Sequence, residues 1–240
     1  ANMNAVTGKR MAETMARFGG LGILPQDMEL STVERIVKQI KGAHRLYDTP
    51  LTVTPSATLR DVQGLILKRS HDMVVVTDSE KRPTGIITHA DLRDRDQYTN
   101  ALELMAKNMV TLKIGMSNRE AFTLMDEQRV NCAPVVDEDG KLVGVLTRDD
   151  AVRHEILEPS LNAQGELLVG AAVGISASAP DDAAALHAMG VDVIVLDTAH
   201  GHQRRMLEAI EKVRAVVGDD FPLVAGNVCT KEGTRALCDA

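Results

Sequence analysis

The chain has 240 residues, of which 44% are hydrophobic, and a formal net charge of −7. That length supports a sizeable core and two domains, and the acidic balance argues against a nucleic-acid grip, which needs a basic face. No apolar run reaches membrane-spanning length, no leader peptide is expected at Ala1, and Cys132, Cys229 and Cys238 lack paired or zinc spacing, so they read as reduced thiols of a cytoplasmic protein.

The first residues lead into a helix on which Met11, Met15 and Phe18 fall at helical spacing, and Gly19 and Gly20 stop it. Leu21 to Leu24 reads as a short strand ended by Pro25. Ser31 to Glu34 (STVE) has the form of a capping box, opening a helix with Val33, Ile36, Val37 and Ile40 on one face. This β/α alternation implies parallel strands.

The rhythm breaks at His44. From residue 50 to residue 154 the sequence is an internal duplication, in copies of about 50–105 and 106–154. Thr52 matches Thr111, Asp78 matches Asp137, and Gly85 to Asp91 (GIITHAD) matches Gly144 to Asp150 (GVLTRDD), all without a gap. Each copy reads as strand, helix, strand, turn, strand, helix. The second strands are Val74 to Val76 and Pro134 to Val136, and the hairpin turns begin at Asp78 and Asp137. Each copy carries Thr-x-x-Asp where a strand meets a helix. One reading is a helix cap. The other is a nucleoside pocket, with the hydroxyl on phosphate at a helix N-terminus and the carboxylate on the ribose diol. Recurrence at the same place in both copies keeps the second reading open.

The duplicated unit resembles a tandem pair of CBS domains, a Bateman module, with G-h-h-T-x-x-D as its more specific element. The resemblance implies regulatory binding of adenine or guanine nucleotides, ATP or GTP, through Thr88 and Asp91 and through Thr147 and Asp150, in two pseudo-symmetric clefts. If the base lies in an apolar slot between Val74–Val76 and Pro134–Val136, cytidine nucleotides should bind less well than purine nucleotides.

After Pro159 the β/α pattern resumes. Leu167 to Gly174 reads as a strand, and Asp181 to Met189 as a helix closed by Gly190. Val191 to Asp197 (VDVIVLD) is largely apolar and β-branched, then changes abruptly to Thr198, Ala199, His200 and Gly201. That is the signature of a strand buried on both faces whose C-terminal end opens into a loop. The next helix sets Met206, Ile210, Val213 and Val217 on one face. Phe221 to Asn227 is a further strand, and helix follows from Lys231. Three successive strands thus end in Gly174, in Asp197 to Gly201, and in Gly226-Asn227. In a (β/α)8 barrel such ends converge on the functional face. A dinucleotide-binding Rossmann fold would need G-x-G-x-x-G after its first strand, which Gly170 to Gly174 (GAAVG) does not supply. The fold expected is therefore α/β: part of a (β/α)8 TIM barrel, residues 1–49 and 155–240, with the CBS pair inserted at 50–154. Asp197 is either a helix cap or a site residue, and the repeated pattern favours the site.

The flanks resemble the IMP dehydrogenase/GMP reductase family through Asn2-Met3-Asn4-Ala5-Val6-Thr7, Gly170 to Gly174, Leu196 to Gly201 (LDTAHG) and Ala225 to Val228 (AGNV). The first and third of these are closest to its actinobacterial, CBS-containing GMP reductase branch. The resemblance implies hydride transfer between purine C2 of IMP or GMP and NAD or NADP. It puts Met3, Gly226 and Asn227 at the purine nucleotide, and Asp197, Thr198, Ala199 and Asn227 at the dinucleotide. It further implies a homotetramer or octamer and a monovalent cation beside a nucleophilic cysteine. That cysteine belongs on the loop after the next strand, beyond Ala240, so no catalytic residue is expected within 1–240 and the chain is expected to be an internal portion of a longer protein. No resident metal, nucleic acid or membrane is expected, and His200 and His202 are read as loop histidines without a role. The alternative class is a non-catalytic nucleotide-sensing protein.

Overall fold

The computed structural model describes residues 2–240; Ala1, where no leader was expected, lies outside the described residues. In chain order the elements are α1 (Lys9–Arg17), β1 (Gly22–Leu24), α2 (Leu30–Lys41), β2 (Leu51–Val53), α3 (Leu59–Ile66), β3 (Met73–Thr77), β4 (Pro83–Thr88), α4 (Ala101–Leu104), β5 (Leu112–Lys113), α5 (Asn118–Glu127), β6 (Cys132–Val136), β7 (Leu142–Thr147), α6 (Arg148–Arg153), β8 (Val169–Val173), α7 (Ala179–Ala188), β9 (Val193–Asp197), α8 (Arg204–Val217), β10 (Leu223–Gly226) and α9 (Lys231–Asp239). They form two compact units, one from Ala1–Arg45 with Glu158–Ala240 and one from Leu46–Leu157.

The first unit is built on a four-stranded sheet in the order β1-β8-β9-β10, parallel at every pairing. All five residues of β8 are buried, as expected for a parallel strand covered on both faces. The helices cover it with the faces their spacing predicts: Val33, Ile36, Val37 and Ile40 from α2, and Met206, Ile210, Val213 and Val217 from α8. α1 departs from expectation. Met11 and Met15 are exposed, and the buried face carries Ala12, Ala16 and the Glu13–Arg17 ion pair instead. Small residues are required there because α1 lies so close to β1 that Gly22 has room for no side chain against Ala12. α2 also begins one residue before Ser31, with Glu29 as its cap, so Ser31 is inside the helix rather than capping it.

Lys41, the last residue of α2, ends in a largely buried ion pair. Its ammonium lies 2.8 and 2.7 Å from the two Asp192 oxygens and 3.2 Å from the Leu167 carbonyl. Asp192 also accepts from the Val169 amide at 2.7 Å, and Asn162 reaches both Glu166 and Asp192. The network therefore sits at the N-terminal ends of β8 and β9, and it ties the helix before residues 46–157 to the segment that follows them.

The second unit contains two three-stranded sheets, β2-β3-β4 and β5-β6-β7. In each, the first pair is parallel and the second antiparallel, and each antiparallel pair has a register shift, between Val76 and Thr77 and between Val135 and Val136. The duplication thus extends to the bulge. Asp78 and Asp137 shape the two hairpin turns by accepting from the amides of Arg82 and Lys141. Capping boxes open α3 (Thr58, Asp61) and α5 (Ser117, Glu120), and these hydrogen bonds hold both carboxyl groups below their usual pKa. Each copy has its own core, and Met73, Val75 and Val145 form a third cluster joining them.

Removing one partner of a buried ion pair strands the other. Asp192→Asn should therefore cost about 2 kcal/mol or more, whereas Lys38→Ala, which breaks the exposed pair with Glu34, should cost less than about 1 kcal/mol. Urea unfolding followed by circular dichroism checks this; equal losses would mean that the buried network contributes no more than a surface pair.

Candidate functional site

Parallel strands put all their C-terminal ends on one edge of the sheet. In the first unit this edge is drawn together by the backbone. Gly226 stands in register with Asp197. Beyond that pair the Thr198 amide donates to the Gly226 carbonyl at 2.9 Å, and the Asn227 amide donates to the Thr198 carbonyl at 2.8 Å. The Gly201 amide then donates to the Asn227 carbonyl at 2.6 Å. Gly201 is buried, and a Cβ there would stand 2.8 Å from the Asn227 carbonyl oxygen, so only glycine fits.

The N-terminal segment runs over the same edge. Asn2 donates through Nδ2 to Asp197 Oδ2 at 2.6 Å, and Asn4 donates to Asp27, which lies just beyond β1. The Met3 carbonyl accepts from the amides of Val6 and Thr7, making a tight turn that leaves the Met3 side chain 59% exposed. Asp197 and Thr198 are half-buried, and Ala199 and the Asn227 side chain are exposed. The helix-cap reading of Asp197 fails: α8 starts at Arg204, its cap position is Gln203, and the Asp197 carboxylate is instead fixed by Asn2. The set comprises an oriented carboxylate, a hydroxyl, an exposed carboxamide and an exposed thioether. It suits a ligand with a sugar diol, polar hydrogen-bonding edges and a flat apolar ring.

The second unit carries a cleft of about 870 Å³. Thr88, Thr147 and Asp150 line it, with Arg129, Arg148 and Arg153 among the charged neighbours. The Thr-x-x-Asp boxes make internal bonds that differ between the copies. Thr88 donates from both its amide and its hydroxyl to Asp91 Oδ2, at 2.8 and 2.7 Å. Thr147 accepts from the Asp150 amide at 3.0 Å, while the Asp150 carboxylate takes Arg153 at 2.8 Å. The helices that follow are a four-residue 3-10 turn (His89–Leu92) and the six-residue α6, too short for the dipole assistance expected from the sequence. The expected apolar slot between Val74–Val76 and Pro134–Val136 is filled, because Val75 packs with Met73 and Val145 and all three are at most 2% exposed. Ile86 and Cys132, which are half-buried, offer apolar surface on the cleft wall instead. Burial raises the Cys132 thiol pKa well above its usual value, so this is an inert thiol. His71, also on the wall, is held below its usual pKa by burial, against the pull of Asp48, whose Oδ2 stands 4.0 Å from Nε2.

The family model for the IMP dehydrogenase/GMP reductase domain matches residues 1–240. The chain belongs to the IMP dehydrogenase/GMP reductase domain family. It is 43% identical to a GMP reductase of Mycobacterium tuberculosis over its whole length, and 36% identical to an inosine-5'-monophosphate dehydrogenase of Halalkalibacterium halodurans. The chain spans about half the length of each of these curated relatives, 50% in both cases. Among solved structures it is similar to GMP reductase from Trypanosoma brucei in complex with guanosine 5'-triphosphate, with a TM-score of 0.66, 30% identity, and coverage of 99% of this chain and 59% of that one. The α/β architecture with a parallel sheet is the one expected from the sequence.

Asp197, Thr198, Ala199, Gly226 and Asn227 therefore lie on one edge, with Met3 on the segment tied to it by Asn2. Thr88, Thr147 and Asp150 line a cleft in the other unit, with Asp91 engaged behind Thr88. Sequence reasoning missed Asn2 as the group that orients Asp197. It also missed Arg129, Arg148 and Arg153, which self-comparison of the duplication could have flagged, since their first-copy counterparts are Ser70, His89 and Asp94. Among the described residues no group of three or more His, Cys, Asp or Glu side chains is arranged to hold a metal ion, and no helix is long and apolar enough to cross a membrane.

The close approach at Gly201 has a measurable consequence. Gly201→Ala should push the Asn227 loop away and cost about 1–3 kcal/mol, seen as a lower thermal midpoint. Gly64→Ala, in α3 with open space around it, should be neutral or stabilising by up to about 1 kcal/mol. A Gly201→Ala variant as stable as the wild type would show that the loop pairing is loose.

Proposed function

We propose that the whole protein of which these residues form the described part is a cytoplasmic purine-nucleotide oxidoreductase. Its reaction moves a hydride between C2 of a purine nucleotide and the nicotinamide of NAD or NADP, and the direction we favour is reduction of GMP. Family membership supports the reaction class, and the higher identity to a GMP reductase than to the IMP dehydrogenases supports the direction. The observation that carries the reading is the Asn2–Asp197 hydrogen bond, at 2.6 Å, on the strand-end edge beside Thr198 and Asn227.

The nicotinamide supplies the hydride chemistry when bound. The roles of this chain's residues are binding and orientation. The Asp197 carboxylate accepts the hydroxyls of the nicotinamide ribose, and Asn2 holds that carboxylate in one rotamer so that little ordering is left to binding. Thr198 and Ala199 line the same side. The Asn227 carboxamide donates and accepts at the junction of nucleotide and dinucleotide, with Gly226 beside it, and the Met3 thioether lies on the purine face. The nucleophilic cysteine and a monovalent cation are assigned to residues outside 1–240. Residues 50–154 are assigned as a regulatory CBS pair that binds ATP or GTP through Thr88, Asp91, Thr147 and Asp150, and the assembly as a homotetramer or octamer.

Steady-state assays of the whole protein with GMP plus NADPH, and with IMP plus NAD, test the reaction. Turnover only in the second pair would reverse the direction, and turnover in neither would sink the enzyme reading. In the active protein Asp197→Ala should raise the dinucleotide KM and lower kcat, together reducing kcat/KM by roughly 10- to 100-fold, the worth of about 1.4–2.7 kcal/mol. Circular dichroism should remain that of the wild type. Unchanged dinucleotide kinetics would remove Asp197 from the site.

A further inference from the structure

The two copies of the second unit share their strand order but differ in charge where they meet the cleft. The second copy lines it with Arg129, Arg148 and Arg153 beside Asp149 and Asp150, whereas the first copy lines it with Asp72 and no arginine, the counterparts of the three arginines being Ser70, His89 and Asp94. A pseudo-symmetric cleft is thus electrically one-sided, and an anionic group is favoured at the second copy's box alone. At that box the Arg153 guanidinium occupies the Asp150 carboxylate at 2.8 Å, and the Arg153 side chain is 54% exposed. In the first copy the corresponding carboxylate, Asp91, is held by the Thr88 amide and hydroxyl. Asp150 is 19% exposed, so the pair is partly screened by solvent and a phosphate dianion can compete for the guanidinium.

We propose that Arg153 selects phosphorylated ligands at this cleft: it covers Asp150 in the free protein and moves to the phosphate of an incoming nucleotide as the ribose diol replaces it on Asp150. The proposal rests on the reading of the cleft as a nucleotide site. A nucleoside must displace Arg153 from Asp150 and gives it no new partner. A nucleotide displaces it and supplies a dianion, on which a guanidinium makes two parallel charge-assisted hydrogen bonds. The same residue therefore opposes one ligand and assists the other. Arg148, paired with Asp126 at 2.7 Å, and Arg129 extend the positive side for further phosphates.

Titration calorimetry on the chain with adenosine and with AMP tests this, adenine ligands being chosen because guanine nucleotides would also meet the proposed substrate site. Wild type should prefer AMP. Arg153→Gln should bind adenosine roughly three- to fivefold more tightly, the partly screened pair being gone, and AMP roughly tenfold more weakly. The preference for AMP should therefore collapse. Asp150→Asn should weaken adenosine and AMP while leaving 2'-deoxy AMP little changed. A purely structural Arg153 would move both ligands by the same factor, and an unchanged AMP-to-adenosine ratio in Arg153→Gln overturns the proposal while leaving the nucleotide site standing. If wild type takes up neither AMP nor ATP at millimolar concentration, the nucleotide site itself is wrong and the proposal falls with it.

Discussion

The Asp192 carboxylate is the point at which an interrupted unit is closed. The chain leaves the first unit after Arg45 and returns at Glu158, so α2 and β8 are neighbours in space without being neighbours in sequence. Closing a long loop is entropically modest per added residue, but something must fix the register once it is closed. Lys41 and Asp192 do this, with Val169 and Asn162 satisfying the remaining lone pairs. A burial that would be costly for either charge alone is offset by pairing and by hydrogen bonds. With the N-terminal ends of β8 and β9 pinned, the parallel ladder carries the register to the other edge of the sheet. There Asp197 and Gly226 stand opposite one another and the loops beyond them can interlock. One end of the sheet thus carries the buried ion pair, and the other carries the candidate site.

Both candidate sites set local asymmetry on a regular scaffold. On the strand-end edge, the backbone supplies rigidity and the side chains supply the chemistry. The amides of Thr198, Asn227 and Gly201 donate to the carbonyls of Gly226, Thr198 and Asn227, so the Thr198 and Asn227 side chains are aimed by a fixed frame. In the second unit the three-stranded sheets repeat down to their bulges, and the copies differ in the helix after each box and in a few charges. Duplication gives two equivalent boxes, and substitution at Arg129, Arg148 and Arg153 makes them unequal.

How much of this was legible in the sequence follows from which interactions are local. β9 was legible as a strand because its run is apolar and β-branched, although it is not buried on both faces as expected, since only Ile194 and Leu196 are fully buried and Val193 and Val195 are half-buried; the duplication was legible because its copies align without a gap. The faces of α2 and α8 followed from helical period. The face of α1 did not, because the close approach of β1 at Gly22 favours Ala12 and Ala16 over larger Met11 and Met15, and no periodicity count registers a distance between elements. Ser31 satisfied the capping pattern, yet the helix had already begun at Leu30. The apolar slot in the second unit was a misreading of the same kind: Val75 is apolar because it packs against Met73 and Val145, not because it waits for a base. Asn2 falls in a recognisable motif, but its task is hidden from the sequence, since its partner Asp197 lies 195 residues away.

The proposed function requires that the dinucleotide bind at the strand-end edge. Hydrogen–deuterium exchange of the whole protein, with and without NADPH at a concentration that saturates turnover, measures this most directly. The proposed function predicts slowed exchange in residues 2–7, 197–201 and 226–228, with residues 162–167 at the opposite end of the sheet unchanged. Protection at 162–167, or saturating NADPH with no change at 197–201, would contradict it.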